Sequence, residues 1–157
     1  MGEFLNLGRR VIVGSRNGKS AVVRDDHSRA ITARDDGTTS IEIWRVKEIP
    51  APVSSDGTSV GEIPTITAAD AASIRLFRIA PARATGGATA DELRQSERFY
   101  VGTVAAGQAY LVLESDRVLL HTGDSFVMPG SKHTWDNPFD QEAVIVSSAF
   151  PLAADGQ

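Results

Sequence analysis

His133 is the residue best placed by its neighbours to do chemistry. It belongs to the stretch Gly123 to Asn137, which reads G-D-x4-P-G-x2-H-x3-N. Gly123-Asp124 makes a tight turn, the run Ser125 to Met128 suits a strand, and Pro129-Gly130 breaks it. The imidazole therefore emerges just past a turn, beside Trp135, where a sheet wall can direct it inward. An imidazole in that position can move a proton or ligate a metal. A metal would need three or four protein ligands, whereas the chain has three histidines, His27, His121 and His133, and no cysteine. His27 sits in the polar stretch Arg24 to Arg29 and reads as solvated surface; His121 precedes the Thr122-Gly123 turn and reads as an exposed strand end. A second set of polar side chains lies upstream at alternating positions: Arg94, Ser96, Arg98 and Tyr100. On a continuous strand they share one face.

The elements that must carry these residues are strands. Arg10 to Gly14, Ser20 to Arg24, Ser40 to Val46 and Ser73 to Ile79 are rich in β-branched residues, and Ile41/Ile43 alternate with Glu42/Trp44. Asn17-Gly18 and Asp36-Gly37 are hairpin-type turn dipeptides. Residues 50–73 hold three prolines with Ser, Gly and Thr and read as a long surface loop; residues 80–90 read as a second. Five further strands are expected: Arg94–Val104, Gln108–Leu113, Val118–His121, Ser125–Met128 and Ala143–Phe150. A helix starting behind Thr89 and running to Arg98 is the rival for the first of them. Short, evenly spaced strands point to an all-β sandwich or barrel.

Composition bounds the function classes. The 157 residues fit one domain, 1–157, with a core at about 9–150 and a tail at 151–157; 41% are hydrophobic and 23% charged. A net charge of −4 gives no electrostatic case for nucleic acid or an acidic membrane surface. There is no apolar run of membrane-spanning length and no secretory leader pattern, so the expected location is cytoplasmic. The expected partner is a small molecule, with neither nucleic acid nor membrane.

The stretch from Gly123 to Asn137 resembles the second motif of the cupin superfamily. Further blocks are similar to a group of small single-domain cupins: Arg9 to Val23, Glu42-Ile-Trp-Arg45 with Pro50-Ala51, and Leu76 to Pro81. The resemblance covers roughly residues 9–150 and implies an all-β, cupin-type jelly-roll β-barrel. It also implies a first motif, G-x5-H-x-H-x3-4-E-x6-G, that supplies the remaining metal ligands. Gly107, sixteen positions before Gly123, fits as its closing glycine. Counting back places Arg94 and Ser96 where the family has histidines and Tyr100 where it has the acid. A guanidinium stays protonated, and hydroxyls bind divalent metals weakly. The expected cofactor is therefore none, and the expected metal site is none. The family's arrangement also implies that Arg94, Ser96, Arg98 and Tyr100 face the barrel interior with His133, leaving Gln95, Glu97, Phe99 and Val101 on the other face.

Small enzymes of aromatic and polyketide-type secondary metabolism are similar to this group. The expected activity is metal-independent isomerisation, cyclisation or dehydration of an anionic or carbonyl substrate. His133 and Tyr100 are the candidate catalytic residues; Arg94, Ser96, Arg98, Phe126, Met128 and Trp135 are the candidate substrate-binding residues. Positive charge nearby is expected to lower the pKa of His133. Structural roles stand beside these: His133 as a backbone-bonded relic, Arg94 and Arg98 on a solvated edge, the aromatic residues and Met128 as packing. Two other functions remain open, a metal-dependent dioxygenase or decarboxylase using His133, His121 or His27 and Glu97, and a binding domain without turnover. A homodimer is expected, because the strand Arg10–Val13 ahead of the barrel leaves an apolar edge to cover. Light scattering at micromolar concentration is expected to give twice the chain mass; a clean monomer would contradict it.

Overall fold

The structure, a computed structural model, describes residues 7–34, 37–52, 71–81 and 93–153. Every regular element among them is a strand: β1 (Arg9–Arg16), β2 (Lys19–His27), β3 (Ile31–Ala33), β4 (Thr38–Val46), β5 (Ala72–Ile79), β6 (Arg94–Gln95), β7 (Arg98–Ala106), β8 (Gln108–Leu113), β9 (Arg117–His121), β10 (Ser125–Pro129), β11 (Lys132–Asp136) and β12 (Ala143–Pro151). The expected all-β class is what is found. No helix of the described residues is long and apolar enough to cross a membrane.

Two sheets carry the core. One has the order β10-β7-β12-β5-β4-β3 and the other β6-β11-β8-β9, while β1 and β2 form a separate hairpin. The larger sheet contributes Ile79, Val104, Met128 and Ile145 to the buried cluster; the smaller contributes Ala109, Leu111 and Leu120. Ala109 and Leu111 of β8, and Ala143 and Ile145 of β12, repeat with period 2, which places them on the facing surfaces. Among the described residues no ladder joins the two sheets, so the arrangement is a sandwich with open edges rather than a hydrogen-bonded closed barrel.

Three sequence expectations change. The strand expected at Arg94–Val104 is two strands in different sheets. Ser96 breaks it: its hydroxyl accepts from the Arg98 amide and donates to the Arg98 carbonyl, each at 3.1 Å. Such local side-chain bonds compete with a ladder. The rival helix fails for the same segment, since Arg94, Gln95 and Arg98 are all in strands; residues 89–92 lie outside the described residues. β3 and β11 are strands the sequence reading did not reach. Most of the loops expected at 50–73 and 80–90, and Asp36 of the Asp36-Gly37 turn, also lie outside the described residues. The Asn17-Gly18 turn is as expected, with φ of 53° and 73° at its two central residues.

Strand β4 has a bulge between Glu42 and Trp44. The bulge shifts the strand's phase by one residue, so Thr38, Ser40, Glu42 and Arg45 are all buried while Trp44 sits opposite the exposed Ile74. Glu42 is fully buried, with Arg45 Nε at 3.1 Å and an Arg75 Nη2 at 3.8 Å. The β1–β2 hairpin docks on this strand. Arg10 holds Asp26 through two bonds and reaches the Ile43 carbonyl, and the Ser28 hydroxyl donates to the Glu42 carbonyl. Val11, Val13 and Val22 of the hairpin remain exposed.

Removing one partner of a buried ion pair strands the other charge in an apolar interior. Glu42→Ala is expected to cost roughly 3–5 kcal/mol in urea unfolding; a loss below about 1 kcal/mol would show that Arg45 and Arg75 do not depend on it.

Candidate functional site

Between the two sheets lies a cavity of about 360 Å³ whose walls include all eight residues singled out from the sequence: Arg94, Ser96, Arg98, Tyr100, Phe126, Met128, His133 and Trp135. That volume suits a small-molecule ligand. The larger sheet supplies Tyr100, flanked in the ladder by Met128 and Ala149, and the neighbouring row with Phe126, Gly102 and Ser147. The smaller sheet supplies His133, flanked by Arg94 of β6 and Leu113 of β8, with Trp135 two residues on. Directly paired residues of an antiparallel ladder project from the same face, so Arg94 and His133 enter the cavity side by side.

The inward set differs in detail from the expected one. Arg98 and Tyr100 share a face of β7, as expected, but Gln95 and Glu97 also border the cavity. The bend at Ser96 resets the alternation, and a parity carried through it fails. The Ser96 hydroxyl is occupied by that bend. Gln95 donates through its side-chain amide to the Gly130 carbonyl and pins the β10–β11 turn. Arg98 is buried and donates to the Ala71 carbonyl at 3.1 Å, ahead of β5. Arg94 is exposed at the rim, and its guanidinium donates no hydrogen bond to a described residue.

Sequence reasoning missed Arg34, Thr38, Arg75, Phe77, Thr134 and Ser147. Arg75 and Phe77 were visible as the alternates of Ile74 and Leu76, but alternation alone does not say which face is inside. Arg34 stands at the end of β3, a strand without a periodic signal. Among the described residues the cavity thus gathers four guanidinium groups, one of them the Glu42-paired Arg75, and the carboxylate of Glu97.

The aromatic rings meet in two groups. Phe77 meets Tyr100 edge to face at 6.0 Å, Tyr100 meets His133 at 6.4 Å, and Phe126 meets Trp135 at 5.4 Å. Among the described residues no hydrogen bond fixes the Tyr100 hydroxyl. His133 Nδ1 lies 3.0 Å from the Ser131 carbonyl oxygen. A carbonyl only accepts, so Nδ1 carries the proton and Nε2 of the neutral ring keeps its lone pair. Burial pushes the His133 pKa below its usual value, the Ser131 bond opposes this, and the Arg34 charge lowers it further. The direction is the one expected from the sequence. The causes are not: burial leads, and the cation is Arg34 rather than Arg94 or Arg98.

The cupin resemblance implies a metal, and the donors here do not fit one. Among the described residues that line the cavity, His133 is the only imidazole and Glu97 the only carboxylate, beside the guanidinium groups of Arg34, Arg94 and Arg98, which repel a cation. Among the described residues no three His, Asp or Glu side chains converge. His121 instead borders a shallow surface depression with Gly107 and Phe139, 3.5 Å from Asp124. His27 is exposed on the hairpin.

No protein-family model and no curated protein matches the chain. The fold is similar to solved cupin-superfamily structures. KdgF from Halomonas sp. is 17% identical, with a TM-score of 0.48 over 80% of this chain and 88% of that one. An RmlC-like cupin from Shewanella frigidimarina is 13% identical, with a TM-score of 0.48 over 81% and 87%. A cupin-superfamily sugar phosphate isomerase from Silicibacter pomeroyi is 18% identical, with a TM-score of 0.46 over 79% and 70%.

The depressed His133 pKa sets a sign for stability. The unfolded chain, with its imidazole near 6.5, takes up the proton before the folded chain does. His133 is therefore without penalty above about pH 6.5, and stability falls as pH drops from there through the lower folded value. One such group contributes at most about 1.4 kcal/mol per pH unit. Denaturant unfolding from pH 7.5 to 5 is expected to show this decline, and His133→Gln is expected to flatten it. An unchanged slope in the variant would contradict the assignment.

Proposed function

We propose that the chain is a metal-independent enzyme acting on a small anionic, carbonyl-bearing compound with an aromatic or conjugated body, and that it moves a proton at the carbon beside the carbonyl. The observation that carries this reading is the pairing of a neutral imidazole, whose Nε2 lone pair is left open by the Nδ1–Ser131 bond, with the Tyr100 phenol in one cation-rich cavity. In the step, His133 Nε2 takes the proton and the C–H electron pair moves into an enolate. Tyr100 donates a hydrogen bond to the enolate oxygen while Arg94 holds the substrate's anionic group. Return of the proton from the imidazolium to a different atom completes an isomerisation; its transfer to a departing β-hydroxyl, which leaves as water, completes a dehydration; attack of the enolate carbon on a second carbonyl, with that proton passing to the new alkoxide, completes a cyclisation.

Arg94 suits the anion-holding role because its guanidinium is at the rim beside His133 in the ladder. Arg98, bonded to the Ala71 carbonyl, is the weaker candidate. Phe126, Met128 and Trp135 would face the substrate's apolar body.

Phenylpyruvate combines a carboxylate, a ketone and an aromatic ring. In D2O with chelator present, the protein is expected to accelerate deuterium incorporation at its C3. His133→Ala and Tyr100→Phe should each lower that rate roughly 10²–10⁴-fold with the fold intact, and Arg94→Ala should raise KM more than it lowers kcat. His121→Ala, outside the cavity, should match wild type. Exchange that disappears on chelation and returns with iron or manganese would overturn the proposal, as would exchange indifferent to His133.

A further inference from the structure

Gly102 lies in one ladder row between two residues that line the cavity, Phe126 of β10 and Ser147 of β12. Its neighbours of the same parity on β7, Arg98, Tyr100 and Val104, point between the sheets, so a side chain at 102 would do the same. A Cβ built there would stand 2.5 Å from Cζ and 2.7 Å from Cε1 of Phe126. The Phe126 ring therefore lies flat across β7 in the space that a side chain at 102 would fill. Its other side meets Trp135 of the opposite sheet edge to face, at 5.4 Å and 65°. Phe126 is thus held between the missing side chain of one sheet and an indole of the other, and its position decides how far the cavity extends.

We infer that Gly102 is a specificity-determining residue, which by letting Phe126 lie against β7 opens the cavity to planar carboxylates larger than one ring. The inference rests on the reading of the cavity as a site for an anion with an aromatic body. Any side chain at 102 would lift the Phe126 ring off the sheet, and the ring has only the cavity or Trp135 to move into. The new Cβ has no room to yield toward β12 instead, because the Val146 carbonyl oxygen stands 3.2 Å from it. A shallower cavity keeps its cationic rim, because Arg34 and Arg94 come from β-strand ends away from this row. It loses depth, and with it the ability to seat a second fused ring.

Benzoate and 2-naphthoate, one ring and two fused rings with the same carboxylate, separate depth from charge. By titration calorimetry the wild type is expected to bind both. Gly102→Ala should weaken 2-naphthoate at least tenfold while holding benzoate within about threefold, and Phe126→Leu added to it should restore 2-naphthoate. Phe126→Ala alone, which does not crowd the backbone, should extend the cavity and strengthen binding of biphenyl-4-carboxylate relative to wild type. If wild type binds both acids but Gly102→Ala weakens them equally or not at all, or Phe126→Ala leaves the biphenyl acid unchanged, the role of Gly102 is overturned and the anion site stands. If wild type binds neither acid while folded by circular dichroism, the anion-site reading falls and this inference falls with it.

Discussion

The carbonyl oxygen of Ser131 accepts two hydrogen bonds on which the site depends. One comes from the Ser96 amide at 3.3 Å and the other from His133 Nδ1 at 3.0 Å. The first ties the point where the chain leaves the smaller sheet for the larger one to the turn that precedes β11. The second fixes which nitrogen of the imidazole is protonated. A single backbone acceptor therefore couples the crossing of the chain to the protonation state of the residue beside it. Without the crossing, Arg94 and Tyr100 would lie on one strand and face the cavity from one side. With it, Arg94 stands next to His133 on one wall while Tyr100 approaches from the other.

Burial then makes this geometry chemical. A half-buried imidazole loses hydration in its charged form, so it stays neutral to lower pH than in water. Arg34, contributed by the opposite sheet, acts in the same direction. A neutral base surrounded by fixed positive charge is an arrangement that favours negative charge developing on a ligand, and it costs no reorganisation when that charge appears. The aromatic contacts running from Phe77 through Tyr100 to His133 give the same cavity an apolar body against which a ring can lie.

Much of the fold was legible in the sequence because turns and strand periodicity are local signals. Asn17-Gly18, Pro129-Gly130 and the alternating apolar residues of β5, β8 and β12 all declare themselves within a few positions. The exceptions have identifiable causes. β3 is three residues long and fully exposed, too short to show a period. β4 changes phase after Glu42, so Arg45 rather than Trp44 continues the buried row, and Glu42, which alternates with Ile41 and Ile43 and reads as outward, is fully buried because Arg45 and Arg75 pair with it. The segment from Arg94 to Val104 satisfies a strand pattern throughout, and what divides it is a hydroxyl at Ser96 bonding to its own backbone. Arg94, Ser96, Arg98 and Tyr100 border the cavity as the pattern suggests, but so do Gln95 and Glu97, which the pattern sends to the other face because the bend has no periodic signal. Arg34 and Ser147 could not be found by spacing: they join the site only through the packing of one sheet over the other.

The tautomer and protonation of His133 are the centre of this account, and ¹⁵N NMR of the imidazole reads both. The account predicts a protonated Nδ1 and an unprotonated, lone-pair-bearing Nε2 at neutral pH, with the ring gaining its second proton only below pH 6.5. An Nε2-protonated tautomer, or a ring already cationic at pH 7, would contradict it.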